Sequence, residues 1–329
     1  MKKTIVFVTG GTGFIGSHLV EKLLAKGYSV RCLVRNPEKL GYLKNLPIEI
    51  FVGDLFSSTV LEKAVKDVQY IYHVAGTIAA KKKEDFYKGN RDATKNLLEI
   101  TATVNPSLEK FIHVSSLAAV GPGEGKESVT ETTPYHPITT YGKSKMEAEL
   151  EVLKFKKILP ITIVRPPIVY GPRDTTTLSF FKTLYKGVEV LAGLKEKYVS
   201  LVHSTDLVSG IILAGEQKKS VGEIYFIGSE NFYSWDEVAF VSKEVMNKKT
   251  LRIRIPEFLV YAITGSVELF SFFNKKPSVL NFEKGRDIVQ DNWICSVEKA
   301  KSELGYKQSV DLQTGIRETI EWYKKNNWL

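Results

Sequence analysis

The sequence predicts an α/β fold: a doubly wound parallel sheet with a smaller, mostly helical C-terminal lobe. Three observations lead there. Short β-branched runs alternate with helix-like segments through the first half of the chain. A glycine-rich turn joins the first run to the first helix, and after Tyr170 the alternation breaks down. Strands alternating with helices are the mark of βαβ units, whose sheets are covered on both faces.

Taken in order, the strand-like runs are Thr4–Val8, Ser29–Val34, Ile48–Val52, Tyr70–Val74, Phe111–Val114 and Ile161–Val164. Helix-like segments lie between them at Ile15–Ala25, Thr59–Val65, Asp85–Thr101 and Tyr141–Lys156. Gly171–Ser200 reads as an irregular excursion. Leu201–Ala214 reads as strand then helix, and Glu223–Ile227 as a last strand. Beyond Tyr233 the pattern is mostly helical, clearest at Trp235–Met246 and Leu312–Lys325. Ligands of such sheets bind beyond the carboxyl ends of the strands, and the informative residues fall on that edge.

Composition narrows the function classes. A chain of 329 residues can bury a large core as one α/β domain or as a domain with a lobe. Cys32 and Cys295 are its only cysteines, which suits a reducing cytoplasm and excludes a disulfide framework and a cysteine-based zinc site. None of His18, His73, His113, His136 and His203 forms a metal-spaced pair, so no metal is expected. No signal-peptide core fits before Gly10, and a cytoplasmic protein is the expectation. The net charge of +9 comes from Lys and Arg scattered along the whole chain, which reads as a solvated surface and not as a nucleic-acid site. The longest apolar stretch, Pro256–Phe273, contains Glu257 and Glu268 and reads as a helix covering a cavity, in preference to a membrane contact.

The first chemical signal is Thr9-Gly10-Gly11-Thr12-Gly13-Phe14-Ile15-Gly16, set between a strand and a helix. Gly10 permits the tight turn, Gly13 lets a pyrophosphate approach the backbone, and Gly16 allows close helix–strand packing. The helix start offers unpaired N–H groups and partial positive charge to phosphates. The end of the second strand selects the dinucleotide. A carboxylate there suits the ribose hydroxyl of NAD, and an arginine suits the 2′-phosphate of NADP. Arg35 stands at that point, so NADP is the expected cofactor and NAD the other possibility. Asp54, in Gly53-Asp54-Leu55, suits an adenine amine or, equally, a turn.

The catalytic signal is Tyr141-Gly142-Lys143-Ser144-Lys145. Tyr141 and Lys145 stand at i and i+4, on one helix face. Proton transfer near neutrality needs the tyrosine pKa lowered by roughly three units, about 4 kcal/mol, which a neighbouring ammonium and an oxidised nicotinamide can supply. Ser115 and Ser116 follow the fifth strand and fall on the same edge, where a hydroxyl can donate to a substrate carbonyl. Asn90 shares a buried stripe with Phe86, Ala93 and Leu97, as either a satisfied core amide or a brace for the site.

These residues resemble an extended short-chain dehydrogenase/reductase, a member of the NAD(P)-dependent epimerase/dehydratase family. The likeness covers Thr9–Gly16, Gly53-Asp54-Leu55, His73-Val74-Ala75-Gly76, Asn90, Ser115-Ser116, Tyr141–Lys145, Arg165–Pro172 and Trp293–Tyr306. It implies a Rossmann fold, a Ser116–Tyr141–Lys145 triad, and Ser115, Ala75, Gly76 and Leu55 as cofactor neighbours. It also implies that Pro166 through Val169 meet the nicotinamide end, and a homodimer formed through helices including Tyr141–Lys156. On that resemblance residues 1–170, with 201–229 returning, form the dinucleotide-binding domain, and 171–200 with 230–329 the substrate lobe.

The departures point to a subfamily. Nucleotide-sugar members carry Asn where this chain has Ile168, and Arg where it has Val199; Arg173 or Lys195 could substitute. Val-Arg-Asn-Pro at 34–37 and Ser-Ser-Leu-Ala-Ala-Val-Gly at 115–121 look instead like dihydroflavonol reductases and 3β-hydroxysteroid dehydrogenases. The leading expectation is an NADP-dependent reductase or dehydrogenase acting on an apolar small molecule. The alternatives are an NAD-dependent nucleotide-sugar epimerase or dehydratase, and a cofactor-sensing protein without turnover. His203, beside the lobe, reads as structural or as a ligand contact.

Overall fold

The computed structural model describes residues 3–271 and 282–329. In chain order the strands and helices are β1 (Ile5–Thr9), α1 (Phe14–Ala25), β2 (Ser29–Val34), β3 (Glu49–Val52), α2 (Ser58–Val65), β4 (Tyr70–His73), α3 (Lys83–Tyr87), α4 (Ala93–Val104), β5 (Lys110–Val114), α5 (Leu117–Val120), α6 (Thr140–Lys154), β6 (Ile161–Arg165) and β7 (Ile168–Tyr170). They continue as α7 (Leu178–Tyr185), β8 (Val188–Ala192), β9 (Tyr198–His203), α8 (Ser204–Glu216), β10 (Ile224–Phe226), β11 (Phe232–Ser234), α9 (Trp235–Met246), β12 (Leu251–Ile255), α10 (Glu257–Ser271), α11 (Phe282–Ile288), β13 (Asn292–Trp293) and α12 (Leu312–Lys325).

Seven strands form one parallel sheet in the order β10-β6-β5-β4-β1-β2-β3. This is the doubly wound Rossmann order, in which the chain winds outward in both directions from β1. The strands are apolar because both faces are covered. Val6, Val8 and Ile112 pack under α1 and α8 with Leu19, Leu207 and Ile211. Phe7, Ile71, Phe111 and Ile163 pack under α2, α4 and α6 with Leu61, Leu97 and Val152. The switch of winding direction between β1 and β4 opens a crevice at their carboxyl ends, where Gly10 and Ala75 meet.

The C-terminal region has its own core of Tyr170, Phe181, Val199, Val238, Ile316, Ile320 and Tyr323. It also contains more sheet than the sequence suggests. β9 pairs with β7, β11 and β13, and β8 pairs with β12. Gly171–Ser200, expected to be irregular, holds α7, β8 and the start of β9. The partner of β8 lies some sixty residues downstream, with Val188 opposite Leu251, so nothing local announces it. The apolar stretch at 256–273 is helical from Glu257 to Ser271, and its last two residues lie outside the described ones. Its outer face leaves Phe258, Leu259 and Ile263 exposed. No helix among the described residues is long and apolar enough to cross a membrane.

Candidate active site

The glycine turn fits a dinucleotide pyrophosphate. Gly10 has φ +76°, and a Cβ there would sit 2.6 Å from the Ala75 nitrogen. A Cβ on Gly16 would sit 2.1 Å from the Gly10 carbonyl oxygen, so α1 closes on the turn only with glycine at 16, while glycine at 10 lets the turn approach Ala75 beyond β4. Gly13 precedes α1 with no side-chain cap, and the first turn holds no acidic residue. By contrast, α6, α9 and α12 are capped by Thr139, Ser234 and Asp311. The first amides of α1, beginning at Phe14 and Ile15, therefore face outward for an anion. Thr12 lies exposed in the turn, and Ser115 at the same edge buries a hydroxyl with no partner. These features suit a phosphate-bearing cofactor, which the Gly10–Gly16 turn would hold by its backbone.

At the far end of that crevice Arg35 is exposed one residue beyond β2. Asp54 follows β3 by two residues and closes its own turn. One carboxylate oxygen accepts from the Phe56 N–H at 2.9 Å and the Ser57 hydroxyl at 2.8 Å, which together hold its pKa below the ordinary value. The Leu55 carbonyl is taken by the Asn96 amide at 2.6 Å.

The middle of the edge brings Ser116, Tyr141 and Lys145 together. Ser116 caps α5 by accepting the Ala118 N–H at 3.1 Å, which leaves its own proton to donate toward the Tyr141 phenol. Burial holds Tyr141 above its ordinary pKa, the Ser116 contact pulls it back, and Asp287 of α11 adds to the rise. Lys145 is buried, and its ammonium donates to the Val114 carbonyl at 2.8 Å. Desolvation pushes its pKa down to about 8, with Glu149 acting in the opposite direction. A Cβ placed on Gly76 would lie 3.9 Å from the Lys145 Nζ, so this ammonium faces the β4 edge of the crevice. Pro166 is tied in by its carbonyl, which accepts the Leu117 N–H at 2.8 Å, and Val169 lies on β7 beyond it.

Beneath these groups runs a buried hydrogen-bond chain that the motifs only hint at. The Thr94 hydroxyl donates to the Asn90 carbonyl at 2.6 Å, so it must accept from His73 Nε2 at 2.8 Å. His73 Nδ1 then accepts from the Thr9 hydroxyl at 2.7 Å, whose oxygen takes the Ala75 N–H at 3.3 Å. The Asn90 side chain lies in a π-helical turn, Lys88–Asp92. It bonds both backbone groups of Thr77, the N–H at 2.7 Å and the carbonyl at 3.0 Å, and donates to Ser144 Oγ at 2.8 Å. Ser144 in turn donates to the Tyr141 carbonyl at 2.8 Å. The chain links the glycine turn to the tyrosine's own helix. Asn90 is thus a saturated brace.

Two further contacts on α6 lie outside the Tyr-Lys motif. Glu149, one turn beyond Lys145, forms a fully buried pair with Arg165 of β6, with contacts of 2.6 and 3.0 Å, and accepts the Tyr135 hydroxyl at 2.7 Å. The i+4 spacing from Lys145 could have flagged Glu149. Glu283 of α11 takes the N–H and the hydroxyl of Thr140 at 2.8 and 2.6 Å. No sequence pattern marked Glu283, because 143 residues separate the partners.

The residues singled out against nucleotide sugars sit as follows. Val199 is buried in the C-terminal core, and Arg173 is bound to Ser17 and Glu21 at 3.1 and 2.8 Å. Lys195 is exposed. His203 is buried against the Tyr170 ring, and its two ring nitrogens have no hydrogen-bond partner. Burial brings its pKa down to about 4. Among the described residues no cluster could hold a metal ion. Two open clefts lie away from Tyr141, one of about 560 Å³ beside Tyr233, Asp236 and Arg252, the other of about 570 Å³ beside Tyr28 and Arg31.

Known proteins give the arrangement a context. The model of the NAD dependent epimerase/dehydratase family matches residues 6–228. The chain is 28% identical over 326 residues to a ceramide reductase of Caulobacter vibrioides, covering 99% of this chain and 96% of that one. It is 29% identical over 342 residues to a putative dihydroflavonol 4-reductase of Synechocystis sp., covering 98% and 95%. Among solved structures, that of gox2253 superposes with a TM-score of 0.84 at 28% identity, over 99% of this chain and 100% of the other.

Proposed function

Because the chain belongs to the NAD dependent epimerase/dehydratase family, the extended short-chain dehydrogenase/reductases, we propose that it is an NADP-dependent reductase of an apolar carbonyl compound. One observation carries this reading: Ser116, Tyr141 and Lys145 converge at the strand edge that the Gly10–Gly16 turn prepares for a dinucleotide. When bound, the nicotinamide supplies hydride. Residues 1–170 with 201–229 form the cofactor half, and 171–200 with 230–329 the substrate lobe.

The protein's own groups then divide the remaining work. Ser116, whose oxygen accepts the Ala118 N–H and whose proton faces the Tyr141 phenol, turns that proton to the carbonyl oxygen of a bound substrate and polarises it. Tyr141 delivers a proton to the same oxygen. Its phenol is held neutral by burial, which suits the reduction direction, where it acts as an acid. Lys145 would hold the cofactor's ribose, and its ammonium would stabilise the tyrosinate left behind. Arg35 would take the 2′-phosphate, Asp54 and Leu55 would meet the adenine end, and Ala75, Gly76, Pro166 and Val169 would line the crevice. The substrate class is supported by the names of the relatives and by the loss of polar clamps at Ile168 and Val199. Small-molecule turnover by a cytoplasmic homodimer fits two buried unpaired cysteines and the exposed Leu150 on α6.

The test is a fluorescence titration of the cofactor-stripped protein with NADPH and NADH, followed by turnover on a panel of aryl and long-chain ketones. The proposal requires NADPH to bind at least tenfold tighter, and Arg35→Asp to abolish that preference. Tighter NADH binding, or a cofactor that resists stripping together with a co-purifying nucleotide sugar, would replace it with the epimerase or dehydratase reading.

A further inference from the structure

We propose that Glu283, carried by the substrate lobe, is a positioning residue for Tyr141: it clamps the first residue of the catalytic helix and so makes tyrosine alignment depend on lobe docking. The proposal rests on the role given to Tyr141 above. Thr140 is the first residue of α6, where a helix has no internal partner for its N–H. Thr139 caps the same helix by taking the Gly142 N–H at 3.0 Å, which leaves the Thr140 N–H open. Glu283 fills that place, with one oxygen on the Thr140 N–H at 2.8 Å and the other on the Thr140 hydroxyl at 2.6 Å. A carboxylate at a helix N-terminus also meets the positive end of the helix dipole. Tyr141 is the very next residue, so its backbone cannot tilt without breaking this two-point grip.

The carrier of the grip is anchored independently. Lys197 at the entry to β9 binds Glu257 at 3.2 Å and Asp291 at 2.8 Å, as well as the Val289 carbonyl. The Trp293 indole donates to the Asp287 carbonyl at 3.0 Å. A carbonyl compound seated between the lobe and Tyr141 therefore meets the tyrosine in register only when α11 is docked.

Hydrogen exchange on the full chain, resolved to the Thr140 amide, tests the clamp without any substrate. Glu283→Ala should speed exchange of that amide at least tenfold while β5 and α4 keep their protection. Glu283→Gln, which keeps an acceptor for the N–H, should give a smaller change. In parallel, with acetophenone and NADPH, Glu283→Ala should lower kcat about tenfold at an NADPH KM unchanged within twofold, and Glu283→Asp should restore part of it. An unchanged Thr140 amide would overturn the clamp, and faster exchange with unchanged kcat would overturn its positioning role. A chain that turns over no ketone yet shows the exchange change would retain the clamp and lose the reductase reading.

Discussion

Two carboxylates hold α6, the helix that carries Tyr141, and they do so in opposite surroundings. Glu149 is fully buried and paired with Arg165, whose own side chain is 2% exposed; Tyr135 closes the group. Glu283 is half-buried, comes from another part of the chain, and grips the helix at its first residue. The first joins α6 to β6 through a pair closed to water. The second joins α6 to α11 through a carboxylate that water can reach. Burial decides the difference: a desolvated pair is costly to break, whereas a half-exposed grip is cheap to release.

The largest expected effect follows from breaking the buried pair. Glu149→Gln leaves the Arg165 guanidinium uncompensated inside the protein and should cost about 3–5 kcal/mol of unfolding free energy by urea denaturation. Replacing both residues with methionine should recover most of that loss, because the desolvation cost disappears with the charges. A double variant no more stable than Glu149→Gln would mean that the pair does more than neutralise itself.

Acid should weaken the buried network around His73. Burial brings His73 from 6.5 to about 3. Between those values the unfolded chain binds a proton that the folded chain refuses. The stability tied to a neutral His73 is therefore complete above pH 6.5 and is lost as pH falls toward 3, at about 1.4 kcal/mol per unit. His73→Asn should be less stable than the parent at pH 7, and the gap should narrow between pH 6 and pH 4 in urea titrations. A gap that stays constant with pH would show that His73 does not remain neutral. The smallest effect belongs to Glu283→Ala, which should cost only about 1 kcal/mol of global stability, the scale of a lost helix cap. A loss as large as that of Glu149→Gln would erase the distinction between the two carboxylates.

The same division governs what could be read from the sequence. The first-half strands were placed to within a residue or two because each is a short apolar run followed by a turn or helix start, as in Val6-Phe7-Val8 before the glycine turn. The sequence could place Tyr141 and Lys145 a helical turn apart on one face and Ser116 just beyond β5, because both placements depend on local pattern alone. β8 and β12 were missed because each is stabilised mainly by the other, at a distance no window spans. Glu283 was missed for the same reason. The sequence His73-Val74-Ala75-Gly76 does not reveal the hydrogen-bond role of His73, since only geometry shows that Thr9 and Thr94 sit on its two nitrogens.

The central claim is proton delivery by Tyr141 beside a dissociable NADPH. Its most direct test measures NADPH oxidation by the parent and Tyr141→Phe on the same ketone, with cofactor affinity determined in parallel. The account predicts turnover reduced by at least about 10²-fold, within the range for a lost general acid, at an NADPH Kd unchanged within twofold. Turnover that survives the substitution would contradict it.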